Sequence, residues 1–153
     1  MKKTLKIIAI LVVIAIVAIQ FVRPDRTNPP VDQAQILEAT TAVPADVKEI
    51  LVRSCSDCHS NETRYPWYSN VSPFSWFLVD HIREGRGELN LSEWGTYTAE
   101  KKKRKLDEIC EMVQSAEMPL PSYLWIHRDA VLSESDKKVL CDWSEEASNA
   151  IGN

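Results

Sequence analysis

The chain has 153 residues, a net charge of −4 and a sequence pI of about 5.4. This length suggests one domain with additional segments, and the roughly 120 residues after the unusual first thirty are enough for one modest core. Basic residues cluster only at positions 101–105, so the composition gives little support to nucleic-acid binding. Most of the 5 Trp, 4 Tyr and 3 Phe lie between Tyr65 and Trp143, where they suit the lining of a flat apolar ligand.

The chain begins with a hydrophobic segment. Lys2, Lys3 and Lys6 come before an apolar stretch of 16 residues, 7–22, interrupted only by Gln20. A membrane span needs about 20 residues, so the stretch fits a short uncleaved anchor, which we favour, or the core of a cleaved signal peptide. The position of the lysines predicts a single-pass protein of the inner (cytoplasmic) membrane, with the rest of the chain on the periplasmic or extracytoplasmic side.

Three segments are expected along the chain. Residues 1–23 form the membrane anchor or signal sequence. Residues 24–43 contain Pro24, Pro29 and Pro30 and are predicted to be a semi-rigid tether that lifts the domain off the membrane. Residues 44–153 form the functional domain.

Helical periodicity runs through this domain, and no strand pattern is evident, so an all-α fold is predicted. The expected helix starts are Pro44, the N-cap pair Ser72–Pro73, Thr98, and Ser133 with Asp136 as a capping box. In the first helix one face is formed by Val47, Ile50 and Leu51, and in the second an apolar stripe at helical spacing is formed by Phe74, Phe77, Leu78, His81 and Ile82. The expected inner faces of the last two helices are Leu106, Ile109, Cys110 and Val113, and Val139, Leu140 and Trp143. Gly85 and Gly87 are expected to end the second helix. Long loops at 60–71, 85–97 and 115–132 are expected to surround something functional.

The chemistry is concentrated at residues 55–59, which read Cys-Ser-Asp-Cys-His at the end of the first expected helix of the domain. Two thiols at this spacing can add to the two vinyl groups of one haem, and the histidine that follows can reach the iron. Cys55 and Cys58 are therefore the expected thioether residues and His59 the expected proximal ligand. The prediction is one covalently attached haem c, with its iron, per chain.

Other uses of the same motif remain open. A redox dithiol of the thioredoxin type expects a βαβ setting, and none is visible. A structural zinc site needs four ligands, and the motif supplies three, with Cys110 or Cys141 as a distant fourth. A plain disulfide between Cys55 and Cys58 is the simplest alternative. Export favours haem, because c-type haem is attached outside the cytoplasm.

Met118 is the expected distal ligand. It lies in the sequence Ala-Glu-Met-Pro-Leu-Pro, residues 116–121, where two prolines favour an extended loop that can present a thioether to the second haem face. Ordinary apolar packing is the alternative for Met118. Met112 is expected to be a packing or surface residue. His81 is expected to be a pocket histidine, with a bis-His ligand as the alternative, and His127 a loop anchor or propionate partner.

Further residues are candidates for the pocket or for stability. Possible pocket residues are Arg64, Tyr65 and Trp67 in the aromatic loop, together with His81 and His127; Arg83 and Arg86 are additional candidates for pairing with the haem propionates. Cys110 and Cys141 lie on expected inner helix faces. In an oxidising compartment they are expected to form a disulfide, with two buried thiols as the alternative.

These motifs resemble the bacterial haem-binding domain family with a C-x-x-C-H motif, which consists of exported single-haem proteins. The resemblance covers about residues 45–147 and is carried by residues 55–68, 89–94 and 117–123, by His127, by Leu132–Ser133 and by Trp143. It implies haem attachment, a small c-type cytochrome-like helical domain wrapped around one haem, and redox work. Cys110 and Cys141 are additional to the family pattern.

The sequence thus predicts a membrane-anchored, exported monohaem c-type cytochrome that transfers single electrons between periplasmic or membrane redox proteins. No acid–base pair or nucleophile arrangement indicates an enzyme. The alternatives are a haem-based sensor or ligand-binding protein with a weak or absent sixth ligand, and a haem-free thiol protein.

Overall fold

A computed structural model describes residues 2–151, and within that range every regular element is helical, which confirms the all-α fold class. The α-helices are α1 (Lys2–Ile19), α2 (Leu37–Thr40), α3 (Ala45–Ser54), α4 (Ser56–His59), α5 (Phe74–Glu88), α6 (Ala99–Gln114), α7 (Pro121–Leu124) and α8 (Glu134–Ala150). Short 3-10 helices cover Trp67–Asn70, Leu91–Thr96 and Arg128–Ala130. Residue 1 and residues 152–153, at the outer ends of the first and last predicted segments, lie outside the described residues.

Helix α3 follows the expected pattern. It starts after Pro44, and its buried apolar residues are Val47, Ile50 and Leu51. Its last turn closes on Cys55, whose N–H donates to the carbonyl of Leu51 over 2.9 Å. The single turn α4 follows at once, so the Cys-x-x-Cys-His motif lies at a helix end, as predicted.

Helix α5 differs from its prediction at both ends. It begins at Phe74 with Pro73 as N-cap and no side-chain cap, because the Ser72 hydroxyl bonds to the Val22 carbonyl and to the Ser75 hydroxyl instead. It does not stop at Gly85 and Gly87 but continues to Glu88. The prediction of a glycine stop was wrong because Gly85 instead permits a close contact between α5 and α4.

Helices α6 and α3 both pack on α8, and the core forms between these three helices. The predicted caps of α6 and α8 are confirmed: the Thr98 side chain accepts from the Lys101 N–H, and Ser133 and Asp136 form a capping box. The buried core residues are Leu37, Val47, Ile50, Leu51, Leu91, Trp94, Leu106, Val113, Leu132, Leu140, Trp143 and Ala147. Burying these side chains provides the main drive for folding. Cys110 and Cys141 lie at bonding distance, with sulfurs 2.00 Å apart, and cross-link α6 to α8.

The N-terminal helix α1 has 18 residues, three of which are lysines, and none of its residues is buried. In the part of the chain that the structure describes, no helix is long and apolar enough to cross a membrane. The transmembrane helix expected from the sequence is therefore not borne out.

The stretch expected to be a tether is hydrogen-bonded to the domain. The Asn28 amide donates to the Thr63 carbonyl over 3.0 Å, and the Gly95 N–H donates to the Gln35 carbonyl over 2.7 Å. Arg26 adds a bond of 2.6 Å to the Asn70 side chain. Residues 26–35 therefore lie along the domain.

Candidate functional site

A cavity of about 260 Å³ lies between α4, α5 and the loop leading into α7. The wall formed around α4 carries Cys55, Cys58 and His59. The α5 wall includes His81 and Gly85, and the third wall includes Met118 and Tyr123. The structure thus brings together five residues that the sequence singled out: Cys55, Cys58, His59, His81 and Met118.

His59 is held in one orientation by the backbone of α5. Its Nδ1 lies 2.9 Å from the Gly85 carbonyl oxygen and 3.1 Å from the Leu89 carbonyl oxygen. Both partners only accept, so Nδ1 carries the proton and Nε2 presents its lone pair. Burial lowers the pKa of His59 despite these two bonds, which favours the neutral imidazole. An imidazole fixed through its other nitrogen is the usual arrangement for a metal ligand.

Gly85 sets how closely α5 approaches the cysteine-bearing turn. A Cβ at this position would lie 2.9 Å from the Cys58 carbonyl oxygen and 3.2 Å from the Cys58 Cβ. Only glycine leaves space for this contact, which also brings the Gly85 carbonyl to His59. Sequence reasoning missed this role, although a glycine inside an apolar helical stripe is a signal of close packing.

The two motif cysteines are free thiols, and each is half-buried. Burial, with help from neighbouring Cys58, raises the pKa of Cys55 to about 12. Burial, with help from Asp57, raises the pKa of Cys58 to about 11. Catalytic dithiols instead lower a thiol pKa to form thiolate, so this setting argues against the redox-dithiol alternative. Cys110 and Cys141, the distant candidates for a fourth zinc ligand, are bonded to each other.

Met118 is positioned by the C-terminal end of α6. Ala116 adopts a left-handed conformation with φ of 59°, and the next two N–H groups, of Glu117 and Met118, both donate to the Met112 carbonyl at 3.1 Å. These bonds turn the chain back just before Met118, which lines the same cavity as the motif. Met112 contributes its carbonyl to this turn and does not line the cavity.

A hydrogen bond joins the α7 wall to the α4 wall. The Tyr123 hydroxyl donates to Asp57 Oδ2 over 2.9 Å. Burial and the Asp57 charge raise the pKa of Tyr123, so the phenol keeps its proton as the donor. Behind it, the His127 ring stacks on Tyr123 at 4.0 Å, and His127 Nε2 lies 2.8 Å from the Tyr68 hydroxyl. Sequence reasoning proposed His127 as an anchor but missed Tyr123 and Asp57.

Of the remaining pocket candidates, only His81 lines the cavity among the residues that the structure describes. Arg64 pairs with Asp57 at 3.3 Å and is mostly exposed, and the Trp67 ring is 75% exposed. Tyr65, Trp67, Arg64 and His127 are absent from the cavity lining. His81 does line it, and its Nδ1 lies 2.8 Å from the Phe77 carbonyl oxygen.

Two arginines considered as propionate partners have protein partners here. Arg83 forms an ion pair with Asp80. Arg86 donates to the Ser60 carbonyl over 2.8 Å and to the Asn28 side chain over 2.8 Å. Arg86 therefore braces the residue after His59 against the N-terminal segment.

The donor set fits a haem. Two thiols, an imidazole held through its Nδ1 and a thioether line one cavity. Thiols at this spacing can attach to the vinyl groups of a haem, and an imidazole and a thioether can ligate its iron. A family model described as a haem-binding domain matches residues 14–146, which is most of the chain. No curated protein and no solved structure matches this sequence. By this family match, the chain belongs to the haem-binding domain family.

Proposed function

We propose that this protein is an exported monohaem c-type cytochrome that passes single electrons between redox partners outside the cytoplasm. In this proposal Cys55 and Cys58 hold one haem as thioethers, His59 is the proximal ligand and Met118 the distal ligand. The observation that carries the proposal is that all four residues line one cavity, while backbone carbonyls hold His59 through its Nδ1. The family match supports haem binding itself.

The bound haem would supply a reversible one-electron change at its iron. The chain's own residues set the conditions for that change. The Gly85 and Leu89 carbonyls orient His59 and make it more basic. A Met118 thioether would favour the reduced state and raise the reduction potential. We propose a carrier and not an enzyme, because the sequence contains no acid–base pair or nucleophile arrangement that indicates catalysis.

We infer that the haem domain works on the extracytoplasmic side of the inner membrane, with α1 as the segment that attaches it to lipid. The Cys110–Cys141 disulfide supports an oxidising compartment. The lysines lie before the apolar part of α1, which supports export of the domain that follows this helix. The proposed partners are redox proteins of the periplasm or the membrane.

Covalent attachment is tested by haem staining after denaturing electrophoresis of protein from a host competent in haem attachment. We expect a stained band for the wild type and none for the variant carrying Cys55→Ser and Cys58→Ser, because the thioether bonds survive denaturation. The matched control carries Cys110→Ser and Cys141→Ser and should stain like the wild type. An unstained wild-type band would overturn the proposal.

The distal ligand is tested by absorption spectroscopy. The oxidised wild type should show the Met–iron charge-transfer band, and Met118→Ala should lose it and lower the reduction potential, since the thioether favours reduced iron. Met112→Ala is the matched control and should keep the band. A five-coordinate wild-type spectrum with ready CO binding would favour a sensor or ligand-binding protein instead.

A further inference from the structure

The end of α1 is fastened to the start of α5. The Gln20 amide donates to the Ser72 carbonyl over 3.0 Å, and its oxygen accepts from the Ser72 N–H over 3.0 Å. Trp76 Nε1 donates to the Val22 carbonyl over 2.7 Å. These contacts span more than 50 positions of sequence, so α1 and the haem domain meet at a bonded joint and not at a flexible linker.

Large apolar side chains are exposed on both sides of this joint. Phe21 and Val22 are 83% and 63% exposed, and Phe74 and Phe77, one helical turn apart on α5, are 62% and 57% exposed. We call these four residues the junction face. Soluble proteins rarely leave several large apolar side chains exposed side by side, and such a patch marks a contact with a partner or a membrane.

The chemistry next to the junction face points to lipid. The large apolar residues of α1, from position 5 to position 17, are 51–69% exposed, and they occupy every side of the helix. A protein groove covers one stripe of a helix, whereas lipid covers the whole circumference. Lys2, Lys3 and Lys6 at one end of this helix, and Arg23 beyond the other, are suited to lipid phosphates. The exposed rings of Phe21 and Phe74, just beyond α1 and at the start of α5, extend this apolar surface beyond the helix.

We propose that the junction face rests on the surface of the lipid bilayer, so that the haem domain is held against the membrane. This inference deepens the proposed function and depends on attachment through α1. It also places the cofactor cavity near lipid, because the Phe77 ring lies 4.1 Å from the ring of His81, which lines that cavity. The redox partner expected for such an orientation lies in or on the membrane.

Photocrosslinking of the full haem-loaded chain tests this orientation. The chain is reconstituted on vesicles of phosphatidylethanolamine and phosphatidylglycerol, with p-benzoylphenylalanine in place of Phe74. Val12 in α1 is the positive control position. Val131, which is exposed beside the 3-10 helix that packs on α3, is the negative control position. We expect lipid adducts at positions 12 and 74, detected by mass spectrometry, and background at position 131.

Each other result has a definite meaning. A lipid adduct at position 12 without one at position 74 would overturn docking while leaving attachment intact. No lipid adduct at either position would overturn both, and a protein adduct at position 74 would assign the face to a second copy or another protein. The haem spectrum of each sample reports the haem proposal separately. Replacing Gln20 by Ala and Trp76 by Phe together should remove the adduct at position 74 and keep the one at position 12.

Discussion

Gly85 shows how a single missing side chain can set a cofactor site. Adding a methyl group there places a carbon 2.9 Å from the carbonyl oxygen of Cys58, which is backbone and cannot rotate away. We expect Gly85→Ala to lower the free energy of unfolding by about 1–3 kcal/mol, the usual cost of overpacking. It should also reduce the haem content per chain, because α5 moves away from His59. Urea unfolding and the ratio of haem to protein absorbance measure the two effects.

Gly87 provides the matched control for this substitution. It lies in the same helix, and a Cβ there meets nothing within 4 Å. Gly87→Ala should therefore raise the free energy of unfolding by up to about 1 kcal/mol through helix propensity alone. Equal losses of unfolding free energy in Gly85→Ala and Gly87→Ala would show that the contact with Cys58 is unimportant.

At the residue scale, the sequence was informative where chemistry depends on local spacing. The motif at 55–59 identified three residues that line one cavity, and the proline loop identified Met118. The sequence was uninformative where the role of a residue depends on backbone groups far away along the chain. Nothing in the local pattern shows that the Gly85 and Leu89 carbonyls face His59, or that Tyr123 reaches Asp57.

At the scale of elements, the start of α8 shows how a cap couples stability to pH. Asp136 accepts from the Ser133 N–H over 2.9 Å and from Arg53 over 3.0 Å. The Ser133 backbone bond, with Arg53 beside it, holds the pKa of Asp136 below its ordinary value of 3.8. A carboxyl group whose pKa is lower in the folded protein than in the unfolded chain stabilises the fold at pH values above its ordinary pKa. This stabilisation is lost as the pH falls through the folded-state pKa.

Asp136→Ala should accordingly lower the free energy of unfolding at neutral pH by about 1 kcal/mol, the usual value of a cap. Protonation of Asp136 removes its contribution to wild-type stability. The difference in unfolding free energy between the wild type and the variant should therefore narrow once the pH falls below 3.8. Glu134→Ala is the control, since that exposed first-turn carboxylate pairs only with Lys137 at 2.8 Å. A difference that is constant from neutral to acid pH would contradict the role of the Asp136 charge.

The helix ends show which boundaries a sequence can predict. The caps of α6 and α8 use partners three residues away, so the local sequence contains them. The start of α5 was placed too early because Ser72 bonds to Gln20 and Val22, about 50 positions earlier. A boundary that depends on such distant partners has no local signature.

At the scale of the whole molecule, one cross-link closes the helical core. The disulfide joins Cys110 on α6 to Cys141 on α8 across 31 positions, and the Met118 loop lies inside the closed segment. Replacing both cysteines by serine should lower the free energy of unfolding by about 2–4 kcal/mol, because the unfolded chain gains freedom.

The measurement is urea unfolding of the haem-loaded protein with and without reductant. Reductant should lower wild-type stability by the same amount as the double substitution and should leave the double variant unchanged. The thioether bonds of the haem are not reduced under these conditions, so the cofactor stays attached in every sample. A double variant that is destabilised further by reductant would contradict this explanation.

The arrangement of the whole molecule was the hardest level to predict. Proline and polar residues between positions 24 and 36 have the composition of a solvated linker. Yet the Asn28 and Gln35 groups bond to Thr63 and Gly95 of the domain. Polar side chains look the same in a sequence whether their partners are water or a folded surface, so composition alone cannot distinguish the two.

The bond between Tyr123 and Asp57 has a consequence for electron exchange. It connects residues 66 positions apart and ties the α7 wall of the cavity to the turn that carries His59. This hydrogen bond therefore helps to fix the spacing of the two walls. For the proposed electron carrier, groups around the haem that are already in place would keep the reorganisation energy of a one-electron step small.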